Sequence, residues 1–127
     1  MARSKTDSDV ATAAADQPEL QQSWNEVSLA GRVAADPVAT TLPSGDVVVS
    51  VRVIVDRDSR ARQPPTVDTI DCAGWTARAR RSMLAWHTGD FVSLEGALRR
   101  RFWRSTSGAQ SRYEVEVLQA KRLRRGD

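Results

Sequence analysis

The chain has 127 residues, a formal net charge of +3, four tryptophans, one cysteine and one histidine, enough for one compact domain with a tail. A lone cysteine excludes an internal disulfide, and one cysteine with one histidine makes neither a zinc site nor a supported Cys-His or Ser-His pair. No apolar run approaches the roughly 20 residues of a membrane-spanning helix and no signal-peptide core follows Arg3 and Lys5, so a reducing, cytoplasmic location is expected.

Charge is unevenly spread. Asp7, Asp9, Asp16 and Glu19 against Arg3 and Lys5 leave the first 23 residues at −2 and the remainder at +5. That excess permits an anionic partner without requiring one. Residues 1–22 are rich in Ala, Asp, Ser, Thr and Gln. They cannot bury enough apolar surface to offset their ordering entropy, and a disordered tail is expected.

At Trp24 the pattern changes. Val27, Leu29, Gly31 and Val33 alternate with Ser28, Ala30 and Arg32, predicting a first strand with one inner face. Trp24 points outward, as an interface residue or an anchor for the tail. Asp36-Pro37 stops this strand, and Leu42-Pro43-Ser44-Gly45-Asp46 supplies a turn. Residues 47–55 are nearly continuous in β-branched side chains. They predict a second strand with Val47, Val49, Val51, Val53 and Val55 inward and Arg52 outward. Residues 56–66 carry Arg57, Arg60, Arg62 and Pro64-Pro65 and read as a long hairpin loop. Its arginines either close over a polyanion or form an ordinary solvated loop.

Residues 67–74 predict a third strand, with Ile70 and Cys72 on one face and Thr69, Asp71 and Ala73 on the other. Trp75 continues the outward phase. Thr76 can cap a helix running to about His87 and stopping before Gly89, with Ala79, Met83 and Trp86 on its buried side. Residues 90–103 alternate again. Val92, Leu94, Gly96, Leu98 and Phe102 fall on the inward phase, whereas Ser93, Glu95, Ala97, Arg99, Arg101 and Trp103 fall outward. An indole sharing an open face with guanidinium groups suits a nucleobase beside its phosphates. The same pattern also suits a charged edge strand with Trp103 folded over arginine stems. After a turn at residues 105–110, residues 113–123 predict a fifth strand with Val115 and Val117 inward and Glu114 and Glu116 outward. Asp71 and Glu95 can pair with the arginines and lower the net attraction; without a supporting cluster they give no ground for hydrolysis.

Five strands with one helix between the third and fourth give an all-β chain with one helix, in the order of an OB-fold five-stranded barrel. Gly31 and Gly96 suit points where barrel strands bend sharply. The expected layout is a disordered tail at 1–22, the barrel at 23–124 and a short tail at 125–127.

These segments together resemble the bacterial single-stranded DNA-binding protein family. The match runs from Asn25-Glu26-Val27-Ser28-Leu29-Ala30-Gly31-Arg32-Val33 and Asp36-Pro37, through Leu42-Pro43-Ser44-Gly45 and Asp71-Cys72-Ala73-Gly74-Trp75. It continues through Gly89-Asp90-Phe91-Val92 to Glu95-Gly96-Ala97-Leu98 and Arg101-Phe102-Trp103, collinear over about residues 24–124. The resemblance implies sequence-tolerant binding of single-stranded DNA in replication, recombination or repair. Bases would stack on Trp75 and Trp103, and phosphates would meet Arg52, Arg57, Arg60, Arg62, Arg99 and Arg101. It implies no enzyme activity, no metal and no cofactor, a nucleoid-associated location, and a homo-oligomer (in the family, a tetramer). Two departures qualify it. Ser59 and Thr69 stand near positions where the family has aromatics, and each lost platform forfeits roughly 1–3 kcal/mol of stacking per base. The basic segment Lys121-Arg122-Leu123-Arg124-Arg125-Gly126-Asp127 stands where the family's usual form continues into a linker and an acidic tip that recruits replication and repair proteins. A specialised, short member is therefore expected. Two alternatives are a protein-interaction OB module, such as a replication-restart or mobile-element factor with weak DNA binding, and RNA binding through the same face.

Overall fold

The computed structural model describes residues 21–58, 63 and 66–126. All but the last two residues of the expected 1–22 tail lie outside that range, as do Ser59, Arg60, Arg62, Pro64 and Pro65 of the long loop. The elements in chain order are β1 (Val27–Val33), β2 (Val38–Thr41), β3 (Val47–Asp56), β4 (Val67–Gly74), α1 (Ala77–Leu84), β5 (Phe91–Ser105) and β6 (Gly108–Arg124). The sheet order is β1-β5-β6-β4-β3-β2, and a further β1–β3 pairing closes the first five into a ring. All pairs are antiparallel except β4 with β6. This is the expected OB-type barrel, with the helix between β4 and β5.

The valine-rich pattern produces the core directly. Val33, Val49, Val51, Val53, Cys72, Leu94, Val115 and Val117 are buried together inside the ring, joined by Ala79, Met83 and Trp86 from the helix segment. The Thr76 hydroxyl accepts the Ala79 N–H at 3.1 Å, satisfying one of the free donors at the helix start. The helix ends three residues earlier than the periodicity predicts. Ala85 and Trp86 N–H groups bond back to Ser82 and Met83 carbonyls, which tightens the last turn and drops Trp86 into the core. Beyond it, the buried Asp90 carboxylate accepts the backbone N–H of His87 and of Gly126, both at 2.8 Å.

Two glycines permit the barrel to close. A Cβ at Gly96 would stand 1.8 Å from the Glu116 carbonyl oxygen, and one at Gly31 would stand 2.2 Å from that of Ile54. Beside Gly96, β6 carries an extra residue. Glu95 faces Gln119 while Gly96 faces Val117, and a second shift sets Phe91 against Arg124 and Val92 against Arg122. The unpaired residues are Leu118 and Leu123, both exposed. Such bulges add bend to one strand, and because they sit in β6, the alternation of β5 survives unbroken.

Four further details differ from the sequence reading. A sixth strand, β2, pairs with β3; its four residues are all exposed, so no alternating apolar face marked them. The turn after β5 is only Thr106-Ser107, with Gly108 at φ +114°, so β5 and β6 run out as a long ribbon. Leu98 and Phe102 keep the inward phase, but there the ribbon has left the barrel and that phase no longer faces the core. Phe102 is 71% exposed, which corrects its assignment to the core. Conversely Val48, Ala73, Ala97 and Glu114, on the outward phase, are buried.

Candidate nucleic-acid interface

The outward phase of β3, β4, β5 and β6 forms one continuous outer wall. Arg52 on β3 stands opposite Asp71 on β4, and its Nε donates to Asp71 Oδ1 at 3.1 Å. The other Asp71 oxygen lies 3.9 Å from Arg112 on β6. Arg112 stands opposite Arg101 on β5, and both guanidinium groups lie 3.7 Å from the Glu114 carboxylate. Two adjacent cations would repel. Glu114, only 5% exposed, is the anion that lets them share the wall.

Each of these cations also covers a ring. The Arg101 guanidinium lies 5.3 Å from the Trp75 ring centroid and that of Arg112 lies 5.9 Å from Trp103, within reach of a cation–π attraction. Trp75 is half-buried at the step from β4 to the helix, where Arg80 donates a hydrogen bond to its carbonyl oxygen. Trp103 is 43% exposed near the ribbon tip. The structure thus joins Trp75, Arg101, Arg112, Trp103 and Arg52 through a single chain of contacts.

The remaining sequence candidates divide. Arg99 lies on the same wall, its Nε donating to Glu116 at 2.8 Å. Arg57 turns onto its own hairpin, where Nε and Nη2 both donate to Asp68, at 3.1 and 2.9 Å. Arg60 and Arg62 fall outside the described residues. Sequence reading missed Arg112, the residue that ties Trp103 to the rest, and missed the burial of Glu114. It foresaw that Asp71 could neutralise an arginine. For Glu95, exposed on β5, no arginine partner is found among the described residues.

Chemically the wall offers flat rings and planar cations on an open surface, with each cation already held by a carboxylate. Cys72, directly beneath, adds nothing reactive. Burial, reinforced by the Asp71 and Glu114 charges, pushes its thiol up to about 12.

The model of the single-strand binding protein family matches residues 24–124. The chain belongs to that family. Among its relatives, a single-stranded DNA-binding protein of Deinococcus radiodurans is 30% identical over 124 residues, 87% of this chain but 41% of its own length. A single-stranded DNA-binding protein B of Bacillus subtilis is 28% identical over 96 residues, 75% of this chain and 84% of its own. The family fold is seen again in a solved structure titled Plasmodium falciparum SSB complex with ssDNA. It superposes with a TM-score of 0.67 at 21% identity, over 80% of this chain and 96% of the other. Among the described residues no helix is long and apolar enough to cross a membrane.

Proposed function

We propose that the chain is a non-catalytic single-stranded DNA-binding protein acting in replication, recombination or repair. In this reading residues 23–124 are the binding unit and the outer wall is the site. The observation that carries the reading is the contact chain from Trp75 through Arg101, Glu114 and Arg112 to Trp103. Bases stack on the two indoles, and Arg52, Arg99 and Arg101 turn from their carboxylates toward phosphates, with Arg57, Arg60 and Arg62 contributing from the loop. A duplex hides its base faces, so rings and cations on one open wall favour single strands. Membership of the family and the names of the relatives support this assignment. Work at the nucleoid and assembly as a homo-oligomer belong to the same proposal, and the exposed Trp24 offers one contact residue for the latter.

The test is quenching of tryptophan fluorescence by oligo-dT, with an equal-length duplex as the comparison. Quenching by the single strand alone, reduced in Trp103→Ala and Trp75→Ala, is the expected result. Absence of any binding at low salt would instead favour a protein-interaction module. The carboxylates that already occupy the wall's arginines give that second reading its one specific support.

A further inference from the structure

The ribbon formed by the outer halves of β5 and β6 turns a reverse face away from the wall, and nothing in the barrel covers it. This face carries Arg100, Phe102 and Arg104 from β5, in register with Tyr113, Ser111 and Ala109 from β6, and begins at Leu98. Leu98, Phe102 and Tyr113 are 45%, 71% and 57% exposed. The Arg100 guanidinium lies 5.5 Å from the Phe102 centroid and 5.0 Å from that of Tyr113, and it donates to the Ser111 hydroxyl at 2.9 Å. Among the described residues neither Arg100 nor Arg104 has a carboxylate partner. The face is thus an unpartnered sheet surface of open rings and cations, and it contains no anion.

The segment that precedes β1 is fastened at the root of this face. The Asn25 side chain accepts the Leu98 N–H at 2.8 Å and donates to the Leu98 carbonyl at 2.6 Å. From Asn25 the chain back to Leu20 spans at most about 18 Å, and back to Asp16 at most about 32 Å. Arg100 and Arg104 lie about 7 and 20 Å along β5 from Leu98, within that reach. Asp16-Gln17-Pro18-Glu19-Leu20 carries what the face lacks: two carboxylates for the two arginines, and a proline ring and a leucine for the two aromatic rings. Asp7 and Asp9 add negative charge farther out.

We propose that the reverse face of the ribbon is the docking surface for this chain's own acidic segment, residues 16–20. Exposed ion pairs are individually weak, but a short tether supplies an effective concentration on the order of 1 mM, so a weak contact suffices. The same carboxylates gain less on the wall, where Arg99, Arg101 and Arg112 each lie within 3.7 Å of a carboxylate fixed in the sheet. The docking concerns a face that the proposed function leaves unused, and it stands or falls separately from DNA binding.

Tyr113 is the single tyrosine of the chain, so isotope-labelled tyrosine gives one NMR ring signal that reports on this face. The signal is followed in the full chain, in Asp16→Lys with Glu19→Lys, in Arg100→Glu with Arg104→Glu, and in the chain carrying all four changes. Amide relaxation of residues 16–20 is measured on the same samples. In low salt the Asp16→Lys, Glu19→Lys chain is expected to show a shifted Tyr113 signal and faster motion of residues 16–20. Raising salt to about 1 M, where charges are screened beyond about 3 Å, should move the unmodified chain toward the same state. The four-fold charge swap should restore the slow relaxation that each pair of changes alone removes, which a local effect of replacing Arg100 would not do. An identical Tyr113 signal in the unmodified and Asp16→Lys, Glu19→Lys chains overturns the proposal, and those two changes leave every described residue intact. A Tyr113 signal that changes on dilution also overturns it, in favour of the same segment from a second copy. So does a signal that ignores the acidic segment and shifts only when oligo-dT is added, which would give the face to the nucleic acid.

Discussion

Asp71 shows how one side chain would set the strength of binding on the proposed wall. It holds Arg52 at 3.1 Å and Arg112 at 3.9 Å, so a strand that approaches these arginines must displace an anion that is covalently part of the same surface. Such an anion cannot be diluted away as a bound counterion can. Asp71→Asn keeps the shape and removes the competitor. The expected outcome is tighter binding of oligo-dT and a steeper fall of log affinity with log salt, by about 0.7 for each phosphate contact regained. A salt titration of both proteins checks it, and an unchanged slope would mean that Arg52 and Arg112 stay away from phosphate. One position inward, Cys72 gives a separate expectation. With its thiol pushed up to about 12 by burial, almost no thiolate exists at neutral pH. A thiol reagent should therefore label the folded chain only as fast as it unfolds, and rapid stoichiometric labelling at pH 8 would show that the β4 core is open to solvent.

At the scale of elements, the ribbon depends on what lets β5 and β6 leave the barrel together. Asn25, just before β1, brackets the exit point, its side-chain amide donating to the Leu98 carbonyl and accepting the Leu98 N–H at 2.8 Å. Gly96 lies two residues earlier, where any Cβ would overlap the Glu116 backbone. Backbone cannot yield as a side-chain end can, so Gly96→Ala should cost stability by at least the ~1–3 kcal/mol typical of overpacking. Gly108→Ala, at the open turn with nothing within 4 Å, should cost only the strain of its positive φ, roughly 1 kcal/mol. Denaturant midpoints for the two variants decide the order, and Gly108→Ala as the more damaging would reverse the argument. The same element marks the limit of what the sequence disclosed. Alternation revealed which residues of β5 face outward, and it placed Trp75, Trp103, Arg52, Arg99 and Arg101 on the outer surface. It could not supply the register, because that depends on the number of residues in the turn. A two-residue turn sets Arg101 against Arg112 and Arg99 against Glu114; the longer turn expected from Ser105 to Gln110 hid both pairs, and with them the bridging role of Glu114. Phe102 was misplaced for a related reason. Phase says which way a side chain points, but whether anything is there to meet it depends on where the barrel ends.

For the whole molecule, the five-stranded ring and its helix were legible because valine alternation and one capped amphipathic segment are local signals. The contacts that fasten its ends are not local, and two of them are made by carboxylates, Asp36 and Asp90. Asp36 lies after β1, and its Oδ1 accepts both the backbone N–H and the hydroxyl of Thr88 at 2.8 Å. Asp90 ties the same turn to Gly126 at the far end of β6, with Arg122 3.5 Å away. The Thr88 hydrogen bonds hold the Asp36 carboxyl below its ordinary value. The backbone N–H groups of Gly126 and His87, then the Arg122 charge, do the same for Asp90 against the opposing effect of burial. A carboxyl with a depressed folded value binds its proton more readily in the unfolded chain, so its stabilisation is fully present above the unfolded value of about 4. It is lost as pH falls through the folded value. The chain should therefore hold a level stability from neutral pH down to about pH 5 on this account, and weaken progressively in more acid solution. Asp90→Asn isolates the contribution. It removes the charge facing Arg122 and leaves one acceptor oxygen for two N–H donors, so at pH 7 it should unfold at lower denaturant than the unmodified chain. As pH falls below the unfolded value of about 4, protonation increasingly favours the unfolded chain, and the gap between the two proteins should narrow, closing once the folded Asp90 takes up its own proton at its lower value. Denaturant midpoints measured at pH 7, 5, 4 and 3 give the result directly; a gap that stays constant across that range would mean that the carboxylate charge at Asp90 contributes nothing to holding the last strand against the turn before β5.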